Sequence, residues 1–317
     1  MPRKITPRIA FFGTPDLAVP TLRWLIESDY SVVVVVTQAD APSGRGNHLA
    51  SPPIKQIAMS AGIPVLQPER LDSTFIRAFN NDSPDLAVLI AYGKILPPSI
   101  LQIPKKGFVN LHLSLLPKFR GSSPIQAAIR EGEHLTGVTL QQIAKGVDSG
   151  MIYGSRSLHL HPREIAESLH EKLKVLAPRV LEDWLPGILD GTATPIPQDE
   201  TNVSTCKKIQ RNHGLLDLQN TADVLDRTIR AYTPWPGAYV FFQNKRLKIL
   251  RARPYLDSQL PNGAIGMVHI QHNHVLLQCK DGFLELLEMQ WEGKKPLRAS
   301  AFAKGYKNLH RTVAVYS

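Results

Sequence analysis

The run Phe108-Val109-Asn110-Leu111-His112-Leu113-Ser114-Leu115-Leu116-Pro117-Lys118-Phe119-Arg120-Gly121 begins as a β-strand and ends as a loop. Side chains alternate across a strand, so Asn110, His112 and Ser114 share one face and Val109, Leu111 and Leu113 the other. At the rise of an extended chain, Asn110 and His112 stand roughly 6 to 7 Å apart. Pro117 and Gly121 stop the strand and open the loop. Polar groups at the carboxyl end of an otherwise apolar strand suit an open α/β sheet, whose ligand crevice lies at that end. The same pair would also serve as hydrogen-bonded polar groups inside a core, and the run alone leaves both readings open.

Around this run, short apolar stretches alternate with amphipathic ones. Further strands are expected at Arg8–Phe12, Val32–Thr37, Leu86–Ala91, Val138–Ile143 and Met151–Arg156. Helical spacing marks Asp16–Ser28, Ile54–Ala61, Ser73–Asn80 and Pro124–Arg130. Strands joined through helices imply right-handed crossovers and parallel pairing, so the front of the chain reads as a Rossmann-like, mostly parallel sheet of the α/β class. A longer helix is expected over Glu164–Leu185, with a kink at Pro178. Residues 191–206 are rich in Thr, Pro, Asp and Asn, lack periodicity and read as a linker.

Beyond the linker, Thr221 is placed to cap a helix running to Tyr232. Five strand-like runs follow, Ala238–Phe242, Leu247–Arg251, Ile265–Ile270, His274–Gln278 and Phe283–Met289, separated by turn residues. That spacing suggests a smaller C-terminal β-barrel, OB-like in kind. The expected division is 1–190, a linker over 191–206, and 207–317.

Charge divides unevenly along the chain. The net charge is +10, and residues 206–317 hold 17 Lys and Arg against 8 Asp and Glu, a net +9. Such a basic module attracts a polyanion, most simply nucleic acid, though it would equally serve solubility. No stretch approaches the roughly 20 apolar residues that span a bilayer. The basic N-terminal stretch has no apolar core of a secretory signal. Cys206 and Cys279 stand alone, fit no metal spacing and suit a reducing cytoplasm.

A second polar element is Gly146-Val147-Asp148-Ser149-Gly150, an acid between glycines just before a strand. It reads either as a turn residue or, with Asn110 and His112, as an orienting or proton-accepting carboxylate.

Asn110-x-His112-x-Ser114-Leu115-Leu116-Pro117, then Gly121 and Asp148-x-Gly150, resembles the signature of 10-formyltetrahydrofolate-dependent formyltransferases. Phe12-Gly13-Thr14-Pro15-Asp16, Ser43-Gly44-Arg45-Gly46 with Ser51-Pro52, and Arg230-Ala231-Tyr232-Thr233-Pro234-Trp235-Pro236-Gly237 narrow the resemblance to the methionyl-tRNA formyltransferases. It covers nearly the whole chain. Phe119, Ala39, Ala41 and Ser122-Ser123 depart from the residues usual in that family.

The resemblance implies a translation-initiation enzyme that formylates the α-amino group of methionine on initiator methionyl-tRNA. Its co-substrate would be 10-formyltetrahydrofolate, with no metal. Catalysis would fall to Asn110, His112 and Asp148: amide hydrogens for a developing oxyanion, and a histidine and carboxylate to carry the amine proton. Either His112 or Asp148 could move that proton. Folate would lie against Ser114, Leu115, Leu116, Pro117, Tyr92, Gly93 and Ile95. The run holding the last three also reads as an ordinary strand-to-helix connection. RNA contacts would come from Arg45, in a loop that also reads as a plain surface loop, and from Lys207, Lys208, Arg246 and Lys248. Trp235, between two prolines, is expected to pack in a corner rather than to stack on a base. A monomer is expected. A rival reading is a folate-dependent enzyme acting on a small amine, and a rival from another class is an RNA-binding protein whose front domain only senses folate.

Overall fold

The computed structural model describes residues 6–43, 48–255 and 263–316. By contacts it forms two compact units. The first comprises residues up to Gly121, Leu135–Leu158 and His170–Thr205; the second comprises Ser122–His134, His159–Leu169 and the chain from Cys206.

The first unit is built on seven strands: β1 Arg8–Gly13, β2 Ser31–Val36, β3 Val65–Leu66, β4 Leu86–Ile90, β5 Phe108–His112, β6 Leu135–Gln142 and β7 Ile152–His159. Their order across the sheet is β3-β2-β1-β4-β5-β6-β7. The pairs β2–β3, β1–β2, β1–β4 and β4–β5 are parallel. Val34, Val35 and Val36 are fully buried, as are Ile9 to Phe12. Continuous apolar runs of β-branched residues are what a parallel sheet covered on both faces requires. The chain leaves β1 toward one side and resumes at β4 on the other, so the switch in strand order lies between β1 and β4.

Helices α1 Val19–Glu27, α2 Pro53–Ser60, α3 Ser73–Asn81 and α4 Pro98–Leu101 fill the connections. Asp72 caps α3, accepting from the amides of Thr74 and Phe75. On one face of the sheet Phe12 meets Phe79, Tyr92 and Phe108 edge-on at 5.1 to 5.3 Å.

β5 and β6 are antiparallel. The helix between them, α5 Pro124–Arg130, belongs to the second unit. The chain re-enters the sheet in the opposite sense to β5. The long helix α6 runs Ala166–Asp190 and contains Pro178 and Pro186.

The second unit contains α7 Ala222–Ala231, capped by the Thr221 hydroxyl, which accepts from the Val224 amide. An antiparallel sheet follows: β8 Ala238–Phe242, β9 Lys245–Tyr255, β10 Val268–Gln271, β11 His274–Cys279 and β12 Gly282–Trp291, ordered β8-β9-β12-β11-β10. The short β13, Leu297–Arg298, pairs with β12, and α8 Ala299–Gly305 follows it. Near the C-terminus Val315 bridges to Phe241 of β8 and Val313 to Met267 beside β10. One segment thus spans both edges and closes the sheet into a barrel, leaving no long unpaired edge. The barrel core includes Val240, Leu247, Ile249, Leu277, Leu284 and Phe302, with Leu225 and Ile229 of α7 packed into it.

Residues 159–169 are tied to this unit by charge. Asp226 is buried and accepts from Nη1 of Arg163 at 2.9 and 3.0 Å and from Nε of Arg230 at 2.9 Å. Nη2 of Arg163 donates to the Ala252 carbonyl at 2.7 Å.

Candidate active site

The carboxyl ends of β1, β2 and β4 are bound together by side chains. The Thr14 hydroxyl donates to the Tyr92 carbonyl at 3.2 Å, and Nε2 of Gln38 donates to the same oxygen at 2.8 Å. Gly93 has φ +85°, a conformation that favours glycine, and a Cβ there would press on the end of the Gln38 side chain. Ile95, just beyond, is 86% exposed.

At the end of the adjacent β5, three side chains converge. Asp148 Oδ1 accepts from Asn110 Nδ2 at 3.3 Å and from Gln141 Nε2 at 2.9 Å. Asp148 Oδ2 accepts from the Gly121 amide at 2.9 Å and lies 3.4 Å from His112 Nδ1. Asn110, Gln141 and the Gly121 amide all donate to this carboxylate and fix its orientation. Asp148 itself sits at φ +48°. A non-glycine residue held there costs on the order of 1–3 kcal/mol, and such conformations concentrate at functional sites.

His112 is buried, and its Nε2 is 2.9 Å from the Phe119 carbonyl. A carbonyl only accepts, so Nε2 carries a proton and donates. Nδ1 faces Asp148 and is the ring atom through which a proton can be exchanged with the carboxylate. Phe119 reaches this geometry at φ +60°, and its contribution is a backbone carbonyl, so the contact survives the departure from the family's usual side chain.

β6 extends the site, a feature its sequence displayed and that the reading of single motifs passed over. Asn110 pairs in register with Gln141 and His112 with Thr139. Thr139 and Gln141 alternate on β6 as Asn110 and His112 do on β5. The Thr139 hydroxyl donates to the Ser114 carbonyl at 2.7 Å and accepts from the Leu116 amide at 3.1 Å, fixing the loop that follows β5.

The expected linker takes a direct part in this loop structure. Nε2 of Gln198 donates to the carbonyls of Asp148 at 2.9 Å and Gly150 at 2.8 Å. Ser204 accepts the Phe119 amide on its hydroxyl at 2.9 Å and the Arg120 amide on its carbonyl at 2.9 Å. Arg120 pairs with Glu200 through both terminal nitrogens, at 2.7 and 3.2 Å.

The residues expected to line the folate site differ in exposure. Ser114 has no exposed surface, and its hydroxyl donates to the Lys118 carbonyl at 2.6 Å, shaping the loop. Tyr92 is 1% exposed and packs on Phe12; only its backbone reaches the crevice. Burial pushes its hydroxyl up to a pKa of about 12. Leu116 is also buried, whereas Leu115 and Pro117 are half-buried and Gly93 and Ile95 exposed.

Arg45 lies outside the described residues. The flanking segments Ala41–Ser43 and His48–Ala50 pair antiparallel. Beside them Asp40 accepts from Ser51, Lys55 and Gln67. Hydrogen bonds led by Gln67 and then Lys55 hold its carboxyl down to about 2.

In the second unit Lys207 and Lys208 are exposed, while Arg246 and Lys248 are half-buried. A β-bulge after Ile249 keeps Ala252 buried and leaves Arg251 and Arg253 exposed. The Arg246 guanidinium is 2.9 Å from Glu292 and 5.5 Å above the Tyr239 ring, so part of its charge is already engaged. Trp235 is 48% exposed, which overturns the expectation of a packed corner. Cys206 and Cys279 are not joined in a disulfide. No helix among the described residues is long and apolar enough to cross a membrane.

A Rossmann-ordered sheet with an Asn–His–Asp rim, followed by an antiparallel barrel, defines a formyl transferase, and the comparisons agree. The formyl transferase family model matches residues 7–185 and the formyl transferase C-terminal domain residues 208–307. The methionyl-tRNA formyltransferase of Myxococcus xanthus is 41% identical over 95% of this chain and 96% of its own length. That of Thermodesulfovibrio yellowstonii is 39% identical over 94% and 96%. Among solved structures, an N-formyltransferase from Helicobacter canadensis, in complex with folinic acid and dTDP-3-aminofucose, superposes with a TM-score of 0.68. It is 18% identical and covers 90% of this chain and 100% of that one, a likeness of fold. The chain belongs to the methionyl-tRNA formyltransferase family.

Proposed function

We propose that the protein transfers the formyl group of 10-formyltetrahydrofolate to the methionine α-amino group of initiator methionyl-tRNA, with Asn110, His112 and Asp148 as its catalytic residues. The convergence of these three groups on the Asp148 carboxylate is the observation that carries the assignment.

Attack by a neutral amine places negative charge on the formyl oxygen and frees a proton. Asn110 spends one amide hydrogen on Asp148 and keeps a second for that oxygen. The His112–Asp148 pair takes up the proton and delivers it toward the leaving nitrogen, with the ring held through Nε2 by the Phe119 carbonyl. These roles invoke no metal.

The folate co-substrate supplies the formyl group. A flat pterin needs backbone donors and acceptors beside apolar surface. Gly93, which has no side chain, and exposed Ile95 meet that need, with Leu115 and Pro117 flanking the catalytic loop. The tRNA would be bound by Arg45 and by the basic second unit, through Lys207, Lys208, Arg246 and Lys248. The catalytic part is assigned to residues 1–190 and RNA binding to 207–317, joined by 191–206, in a cytoplasmic monomer.

The deciding experiment offers labelled 10-formyltetrahydrofolate and charged initiator tRNA to the purified protein and scores formylmethionine after deacylation. Label appearing on a free amino sugar but not on the charged tRNA would overturn the reading.

A further inference from the structure

We propose that Gln198 is a positioning residue for formyl transfer, holding the Asp148 turn in its reactive geometry from the segment that follows α6; this rests on the catalytic reading of Asp148 above.

The orientation of the Gln198 amide follows from its partners. Carbonyls only accept, so the atom shared by the Asp148 and Gly150 carbonyls, at 2.9 and 2.8 Å, is Nε2 with its two hydrogens. The other end, Oε1, accepts from Nε of Arg120 at 3.0 Å. Nε2 also lies 3.4 Å from Oε1 of Gln141, whose own Nε2 donates to Asp148 Oδ1 at 2.9 Å. The two hydrogens of Nε2 are thus committed to the two carbonyls, with Gln141 beside them donating to Asp148 Oδ1 in its own right.

Gln198 thus clamps the Asp148 turn at two points, the backbone of a residue held at φ +48° and that of Gly150 two residues on. Asp148 must point Oδ2 at His112 while its backbone occupies a region that an aspartate leaves readily when unsupported. Gly150 lies flat against β6, where even a Cβ would collide with the Gln142 carbonyl oxygen, so the turn is fixed at that end as well. Arg120 is in turn held by Glu200 on the same segment. Residues 198 to 204 join both catalytic loops, and Gln198 is the member that reaches Asp148.

The test uses the full-length protein with Gln198→Ala and Gln198→Glu. The glutamate keeps an acceptor for Arg120 but has no hydrogen to offer the two carbonyls. Both variants are expected to lose kcat by roughly 10- to 100-fold, as misplaced catalytic groups do, with KM for charged tRNA and for the folate donor within about twofold of the parent. Unfolding temperature should stay close to the parent for Gln198→Glu. A Gln198→Glu enzyme with parental kcat would reduce the residue to an anchor for Arg120 and overturn the proposal. So would a loss that appears only in KM or that tracks a fall in unfolding temperature. Failure of the unaltered protein to formylate charged tRNA would instead sink the functional reading.

Discussion

Nδ1 of His112 lies 3.4 Å from Oδ2 of Asp148, while the opposite ring nitrogen is held at 2.9 Å by the Phe119 carbonyl. With Nε2 engaged by that carbonyl, Nδ1 is the ring atom left to exchange a proton with the carboxylate. The pair is therefore one proton-handling unit and not two independent groups. His112→Ala and Asp148→Asn should each lower kcat by roughly 10² to 10⁴, and the double variant should be little worse than the more damaging single one. Steady-state formylation alongside equilibrium tRNA binding checks this. If tRNA affinity falls as far as kcat in His112→Ala, the residue serves binding and the unit is misassigned.

Gly150 makes a second prediction through sterics alone. A Cβ there would be driven into a carbonyl oxygen of β6, and a strand cannot give way like a flexible side chain. Gly150→Ala should destabilise the fold by about 1–3 kcal/mol and abolish most activity by moving the Asp148 turn. At Gly305, the last residue of α8, an added methyl would have no atom within 4 Å, and Gly305→Ala should be neutral or slightly stabilising. Thermal unfolding of the two variants side by side separates the cases; equal tolerance would remove the backbone contact as the cause.

What the sequence displayed and what it concealed follow one physical division. Val32 to Val36 and Leu86 to Ile90 are continuous apolar runs, so the buried parallel strands could be located from them, whereas Val65–Leu66 is too short to show a period. Asn110, His112 and Asp148 were legible because alternation and flanking glycines mark them. Gln198 was not, since its targets are backbone carbonyls 48 and 50 residues away, and a carbonyl has no signature in the chain. The burial of the Tyr92 and Ser114 side chains was equally hidden, since residues at strand ends can turn either way. α5 had a clear helical pattern, but nothing in its sequence says that it packs with α7 in the second unit.

On the barrel, Glu285 is buried beneath Arg253 and His274, whose nitrogens lie 2.5 and 2.6 Å from its oxygens. Burial alone would raise its pKa, but the hydrogen bonds from Arg253 and His274 outweigh it and hold the carboxyl below its ordinary value. A lowered folded-state pKa stabilises above the unfolded glutamate range and is lost as pH falls through the folded value. Glu285→Gln should therefore lower the unfolding temperature at neutral pH, and the deficit should shrink as pH drops below about 4. A deficit constant with pH would mean that shape, and not charge, is what Glu285 contributes.

Trp235 supplies the last prediction. Its ring is 48% exposed between Pro234 and Pro236, in a unit whose chain from Cys206 carries a net +9. A half-exposed aromatic on a basic module has the chemistry to stack on an unpaired base. Trp235→Ala should weaken tRNA binding by about 1–3 kcal/mol and Trp235→Phe by less, with unfolding temperatures close to the parent because a half-exposed ring adds little packing. The electrostatic part should respond differently: tRNA affinity of the parent should fall steeply between roughly 50 and 200 mM salt, and Trp235→Ala should keep the same slope while Lys207→Ala and Lys248→Ala flatten it. Unchanged tRNA affinity in Trp235→Ala, with a large drop in unfolding temperature, would return the ring to the packing role first expected of it.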